Sequence, residues 1–373
     1  MVLLRCAVDL CGSAQRCRWF RSARGATPGP SRSTGSMERA RLTPFPPREQ
    51  ATTRICKVSS FATELLEIRS KEPSLHVLLI AGNPGIAAFY KDCVEALYEN
   101  LGGQASVTAI GHISHSQKVT YTTYLMFVSH ATMDAKNPAA NLDYEHGRLF
   151  SLYEQIDHKV DFIEQELQHS EQPIVLVGHS IGAYIGLEVF KRFQNKIIFF
   201  VGLYPFLKMN KSSVTQSAIG YIARSSLLSK LVSSSASLIG SLRPSITRGI
   251  VRRFLGPSWS VTAVDAVCCH LLRYNTVRNV LLMAMTEFQK LTEEPDWTFI
   301  RAQEEKMAFL FGVDDHWGPL SHLEEISKHA PRVTLSVETE GHTHGYCCTE
   351  AGSVWVADYI AYLIKNQMPV RNN

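Results

Sequence analysis

The chain has 373 residues, 45% hydrophobic and 19% charged, so it is long enough to bury a large core without metals or disulfides. Its net charge of +4 is small for that length, and neither zinc-finger spacing nor an aromatic and basic surface pattern occurs, which sets nucleic-acid binding aside. The nine cysteines are odd in number and lack any CxxC, which fits a reducing compartment better than a disulfide framework.

Residues 1–36 carry six arginines and a single acid, Asp9. Arg5 and Asp9 break the opening apolar stretch, so neither a secretory signal nor a spanning helix is expected. A basic, disordered leader over 1–50 is the expectation; an organelle transit peptide and a start at Met37 are the alternatives. Residues 37–74 then form a polar approach containing PFPP, with two short strands between Cys56 and Glu67. HVLLIAG at 76–82 reads as a buried strand entering the turn GNPG, and the helix that follows turns Phe89, Cys93, Ala96 and Leu97 inward.

Residues 105–112 read as the next strand and 148–167 as a long amphipathic helix with Leu152, Ile156, Val160 and Ile163 along its buried side. The alternation continues with the strand PIVLVG, the helix IGAYIGLEVFKRF and the strand KIIFFVGL at 196–203. After an interruption, KMAFLFG at 306–312, LSHLEEISKHA, RVTLSVE and VWVADYIAYLI read as strand, helix, strand and closing helix. Apolar strands alternating with amphipathic helices require a mostly parallel sheet covered on both faces. The domain division expected is an N-terminal part of one core at 51–205, a helical insertion at 206–300 and the C-terminal part of the core at 301–373.

The insertion has an unusual composition. Between Phe206 and Val264 there are eight cations (Lys208, Lys211, Arg224, Lys230, Arg243, Arg248, Arg252 and Arg253) and no acid, interleaved with apolar clusters. Such a segment suits an anionic lipid interface, with apolar side chains entering the acyl boundary and cations meeting headgroups. The alternative is an ordinary helical cap with a solvated basic face.

The chemistry is expected at LVGHSIG, residues 176–182, where Gly178, Ser180 and Gly182 have the GxSxG spacing. A strand entering it and a helix leaving it would hold Ser180 on a sharp turn above the carboxyl end of the sheet. The backbone N–H of Ile181, at the start of that helix, and that of Asn83 in AGNPG are the expected oxyanion donors. An acid and then a base should follow. Asp315, three residues beyond Gly312, is the first choice and Asp314 the alternate; His344 in GHTHGY is preferred as base over His342. His179 is expected to shape the turn. His112, His115 and His130 with Asp143 match no compact metal-ligand pattern and are expected as solvated loop or pocket-rim residues. No metal or organic cofactor is called for.

Several motifs together, namely GNPG at 82–85, AFY at 88–90, QIDHKVDFI at 155–163, LVGHSIGAY at 176–184 and Gly312 followed by Asp315 and Trp317, closely resemble the lipid droplet-associated hydrolase family, a branch of the α/β-hydrolase superfamily. The resemblance runs from about Leu75 to Leu363, and its GNPG and QIxHK elements discriminate better than GxSxG. It implies an α/β-hydrolase fold with an inserted helical cap, and it carries nucleophile, acid and base onto Ser180, Asp315 and His344. It further implies hydrolysis of lipid esters, sterol esters among them, by a serine esterase attached to lipid droplets and the endoplasmic reticulum through the middle region. The rival functions are a weakly catalytic lipid-surface scaffold and a soluble small-ester esterase or thioesterase.

Overall fold

The structure is a computed structural model that describes residues 49–116 and 145–367. Most of the basic leader, together with His130 and Asp143, lies outside the described residues.

Eight strands form one sheet in the order β1-β2-β4-β3-β5-β6-β7-β8. They are β1 (Thr52–Val58), β2 (Phe61–Ile68), β3 (Leu75–Ile80), β4 (Ala105–Ile110), β5 (Ile174–His179), β6 (Ile197–Leu203), β7 (Met307–Gly312) and β8 (Thr334–Glu338). β2 pairs antiparallel with both β1 and β4, and every pairing from β4 to β8 is parallel. The continuous apolar runs are explained by burial: all six residues of β4, β5 and β7 are buried.

Strand order sets the layers. β3 connects to β4 on one side through helix α1 (Lys91–Asn100), whereas β5 connects to β6 on the other through α3 (Ile181–Arg192). Right-handed crossovers in opposite directions put these helices on opposite faces of the sheet. The closing helix α11 (Glu350–Gln367) packs on α1, and α2 (Leu152–Phe162) packs on α3. Reversal of strand order about β3 also opens a crevice at the carboxyl edge, where loops after β3, β5, β6, β7 and β8 converge.

Between β6 and β7 the chain is helical: α4 (Val214–Arg224), α5 (Ser226–Gly240), α6 (Pro244–Leu255), α7 (Val261–Ala266), α8 (Tyr274–Lys290) and α9 (Trp297–Ala302). Helix α10 (Leu320–His329) lies between β7 and β8. α8 packs against both α4 and α5 and also reaches α2. Apolar side chains on the outside of α4 to α6 stay in solvent, with Tyr221, Leu227 and Leu238 each about 70% exposed. Lys211, Arg224, Lys230, Arg243, Arg252 and Arg253 are exposed beside them. Lys208 and Arg248 are not part of this face, because Lys208 pairs with Glu294 and Glu325 and Arg248 with Asp265. Among the described residues, no helix is long and apolar enough to cross a membrane.

Two local expectations are corrected. The helix expected over 148–167 starts at Leu152, where Ser151 and Glu154 form a capping box, and residues 163–167 continue it as a π turn. Its buried face carries Gln155, His158 and Lys159, while Ile156 and Val160 are only half-buried. The polar residues go inside because they have partners: Lys159 Nζ donates to Gly111 O at 2.9 Å, Gln155 Oε1 accepts from Ile113 N at 3.0 Å, and His158 Nε2 meets Thr63 Oγ1 at 2.6 Å. His112 and His115 are also buried and not solvated at a rim, packed edge-to-face at 5.3 Å beneath the loop after β3.

Candidate active site

Ser180 ends the β5-to-α3 turn with φ 56° and ψ −123°, a left-handed conformation that costs a non-glycine residue about 1–3 kcal/mol. Neighbouring glycines make that turn possible. A Cβ at Gly178 would lie 2.3 Å from Gly182 O, and one at Gly182 would lie 2.4 Å from Ile80 O, so α3 approaches the sheet more closely than any side chain permits. The Ser180 N–H donates to Leu203 O at 3.0 Å, and Ser180 O accepts from Phe206 N at 3.1 Å, tying the turn to β6 and its exit.

Two other loops reach this serine. His344, in the segment after β8, places Nε2 at 2.8 Å from Ser180 Oγ and Nδ1 at 2.8 Å from Asp315 Oδ2. Asp315, after β7, accepts the Trp317 N–H on its other oxygen at 2.9 Å. All three side chains are buried. Burial alone pushes the Asp315 carboxyl upward, but the His344 imidazole, its hydrogen bond and the Trp317 N–H together hold it below the ordinary carboxylate range. The alternates stand elsewhere: Asp314 points to solvent, and the half-buried His342 ring lies against Trp355 at 5.7 Å.

The loop after β3 completes the surroundings. The backbone N–H groups of Asn83 and Ile181 donate to no acceptor among the described residues. Gly82 N donates to Tyr90 Oη and Gly85 N to His115 Nδ1, both at 2.8 Å, while His112 N donates back to Gly85 O at 2.8 Å. The Asn83 carboxamide donates to Val280 O and to Glu287 Oε1 on α8, each at 3.0 Å.

His179 connects the loops. Its Nε2 lies 2.8 Å from the His344 carbonyl, which can only accept, so the proton is on Nε2 and Nδ1 accepts from the Tyr90 hydroxyl at 2.7 Å. Burial, reinforced by His344, lowers its pKa to about 3, which keeps this tautomer neutral. The run from Gly82 through Tyr90 and His179 to His344 therefore links the β3 loop, the serine turn and the histidine loop. Tyr346 packs on His179 at 4.9 Å, and Trp317 lies 6.0 Å from His344 with Phe206 and Phe288 behind it. Sequence reasoning missed Tyr90 and Glu287, and it placed His112 and His115 in solvent or at a pocket rim, where the structure buries them. AFY was visible as a motif, but no spacing in the chain foretells the contacts of Tyr90, and Glu287 lies far along the chain from Asn83.

A geometry in which an imidazole joins a serine hydroxyl to a carboxylate can activate that hydroxyl toward an electrophilic carbon. Comparison with known proteins places the chain among hydrolases. A family model described as "Lipid-droplet associated hydrolase" matches residues 73–347. The lipid droplet-associated hydrolase of Dictyostelium discoideum is 27% identical over 297 residues, covering 76% of this chain and 86% of that protein. That of Gallus gallus is 27% identical over 302 residues, covering 79% and 87%. Among solved structures, a thermophilic esterase from Thermogutta terrifontis matches with TM-score 0.51 and 13% identity, covering 86% of this chain and 99% of that one. An epoxide hydrolase from Vigna radiata matches with TM-score 0.55 and 14% identity, covering 86% and 100%. A mutant haloalkane dehalogenase from Agrobacterium tumefaciens matches with TM-score 0.57 and 10% identity, covering 84% and 98%. At such identities the structural likeness speaks to fold alone, which is the α/β-hydrolase fold.

Proposed function

The chain belongs to the lipid droplet-associated hydrolase family, and from that premise we propose that this hydrolase is a serine esterase acting on apolar lipid esters at a lipid-droplet or endoplasmic-reticulum surface. The observation that carries the reading is the hydrogen-bonded run Ser180 Oγ, His344, Asp315, with 2.8 Å on each side of the imidazole. The Ser180 hydroxyl attacks the ester carbonyl as its proton passes to His344 Nε2. Asp315 orients the Nδ1–H tautomer and stabilises the imidazolium. The N–H groups of Asn83 and Ile181 receive the oxyanion, and the positive end of α3 adds to that field.

His344 then gives its proton to the departing alcohol as the C–O bond breaks, leaving Ser180 acylated. Water loses a proton to His344, adds to the acyl carbon, and releases the carboxylic acid as the serine recovers its proton. The substrates proposed are sterol esters and acylglycerols.

Support for the lipid surface comes from the names of the relatives and from the outer side of α4 to α6, where exposed Tyr221, Leu227, Leu231 and Leu238 stand among cations that have no acid between Phe206 and Val264. A serine-directed fluorophosphonate should label the folded wild type and not Ser180→Ala, and an unlabelled wild type refutes the esterase reading. Replacing Leu227, Leu231 and Leu238 together by Ser should abolish co-flotation with phosphatidylcholine-coated triacylglycerol droplets containing phosphatidylserine. Undiminished flotation removes this face from the proposal.

A further inference from the structure

Helix α8 is stitched to the core by polar side chains that are themselves buried. Asn279 Oδ1 accepts the Phe150 N–H at 2.9 Å, Thr286 Oγ1 accepts the Leu152 N–H at 3.0 Å, and Glu287 Oε1 accepts from Asn83 Nδ2 at 3.0 Å. The first two bonds hold the segment entering α2, which is ordinary packing. The third ends on Asn83, the residue after Gly82, where an added Cβ would lie 3.1 Å from Ser180 Cβ. The orientation of the Asn83 amide follows from its second bond: Val280 O can only accept, so Nδ2 faces α8. Val280 and Glu287 are seven positions apart, about two turns, and so share one face of the helix. Both amide hydrogens of Asn83 are thus used by α8, and the residue is clamped at its side chain while its N–H donates to no acceptor among the described residues.

We propose that Glu287 is a positioning residue for the hydrolytic step: from α8 it holds the Asn83 carboxamide, and through it sets the direction of the residue 83 N–H toward the oxyanion. This rests on the reading of Asn83 N–H as an oxyanion donor. Glu287 does not touch the substrate in this role; it acts through Asn83. Oxyanion stabilisation depends on donor direction to within tenths of an ångström, and the loop holding this donor contains Gly82 and Gly85 on either side of it. The other ties of that loop, Gly82 N to Tyr90, Gly85 N to His115 and His112 N to Gly85 O, anchor its ends but not residue 83. The Asn83 amide supplies the tie in the middle.

The acid is also suited to the place. Burial, only partly offset by the Asn83 amide, pushes the Glu287 carboxyl up to about 8. At neutral pH it therefore holds Asn83 through a carbonyl oxygen without setting a negative charge behind the site where negative charge develops. Helix α8 carries Phe288 beside it, packed on the Trp317 ring at 6.2 Å, so the same helix meets both the oxyanion loop and the loop of the acid. The helices bearing the exposed apolar and basic side chains, α4 and α5, pack on α8. The position of the donor is in this way tied to the seating of the inserted helices.

The test is steady-state hydrolysis of p-nitrophenyl butyrate by the full chain, with fluorophosphonate labelling of Ser180 in parallel. Glu287→Met, which keeps length and removes the acceptor, should lower kcat by about 10-fold or more, part of the 10²–10³ that a whole oxyanion donor is worth, with KM within about twofold. Glu287→Gln keeps the acceptor and should stay within about threefold of wild-type kcat. Asn83→Ala keeps the backbone N–H and loses only the clamp; it should match Glu287→Met, and it decides the matter if Glu287→Met does not fold. Wild-type kcat in Asn83→Ala, or equal losses in Glu287→Met and Glu287→Gln, overturns the role of Glu287 while leaving the esterase reading intact. A wild type that neither labels nor turns over overturns both.

Discussion

Replacing Glu287 by Gln should change the pH dependence of stability in a direction that follows from its burial. The carboxyl moves from an ordinary 4.5 to about 8 in the folded chain, so between those values the folded protein keeps a proton that the unfolded chain has released. Wherever the folded state binds more protons, stability falls as pH rises; the acid's contribution is complete below 4.5 and lost by the time pH passes 8. With about 1.4 kcal/mol per unit, wild type should lose about 2.5 kcal/mol relative to Glu287→Gln between roughly pH 5 and 7, and about 4 kcal/mol by pH 9. Gln cannot titrate, and whatever it adds or removes as a packed amide is the same at every pH, so it cancels from the slope. For a chain of this size those differences correspond to gaps in Tm that widen by about 4 °C and then about 6 °C. Parallel thermal melts of both proteins in a buffer series would show it. Melting profiles that run parallel within about 1 °C from pH 5 to 9 would mean that Glu287 is ionised in the fold, and the burial argument would fail.

Further outcomes follow from the same geometry. Asp315→Asn should lower kcat by about 10³–10⁴, because the amide favours the wrong His344 tautomer, whereas exposed Asp314→Asn should stay within about twofold; the reverse pattern in ester turnover would transfer the role of acid to Asp314. Gly182→Ala forces a Cβ to 2.4 Å from Ile80 O, a backbone atom that cannot swing aside. A loss of about 2–3 kcal/mol in denaturant unfolding is expected, and an unchanged midpoint would contradict the close approach of α3 to the sheet.

Much of the site was legible because its placement is local. A strand, a glycine-flanked serine and an amphipathic helix specify a strand-turn-helix corner within a few residues, since the two glycines are what lets the helix fold back on the strand. Asp315 and His344 were legible in kind, as an acid and a base each following a strand, because a parallel sheet delivers every such loop to one edge. Their alternates at 314 and 342 could not be separated along the chain. Adjacent residues in a loop, or residues two apart, point to different sides according to a backbone path that tertiary packing decides.

The helix at 152–162 shows the other limit. Periodicity assigned its inner face to Leu152, Ile156, Val160 and Ile163; Leu152 and Ile163 are buried, but Gln155, His158 and Lys159 take the inside in place of Ile156 and Val160, where Gly111 O, Ile113 and Thr63 satisfy them. Polar residues read as outward unless their partners are known, and the partners lie on other elements.

By itself, then, the sequence determined a mostly parallel sheet, the serine corner and an acid-free basic and apolar stretch between β6 and β7, all of which follow from the order and polarity of neighbouring residues. Only the tertiary structure decided that His344 and Asp315 stand in line with Ser180, that His179 joins three loops through Tyr90, and that Glu287 grips Asn83 from a helix more than half the chain away from it. Hydrogen bonds of that kind depend on distances in space that no spacing along the chain encodes.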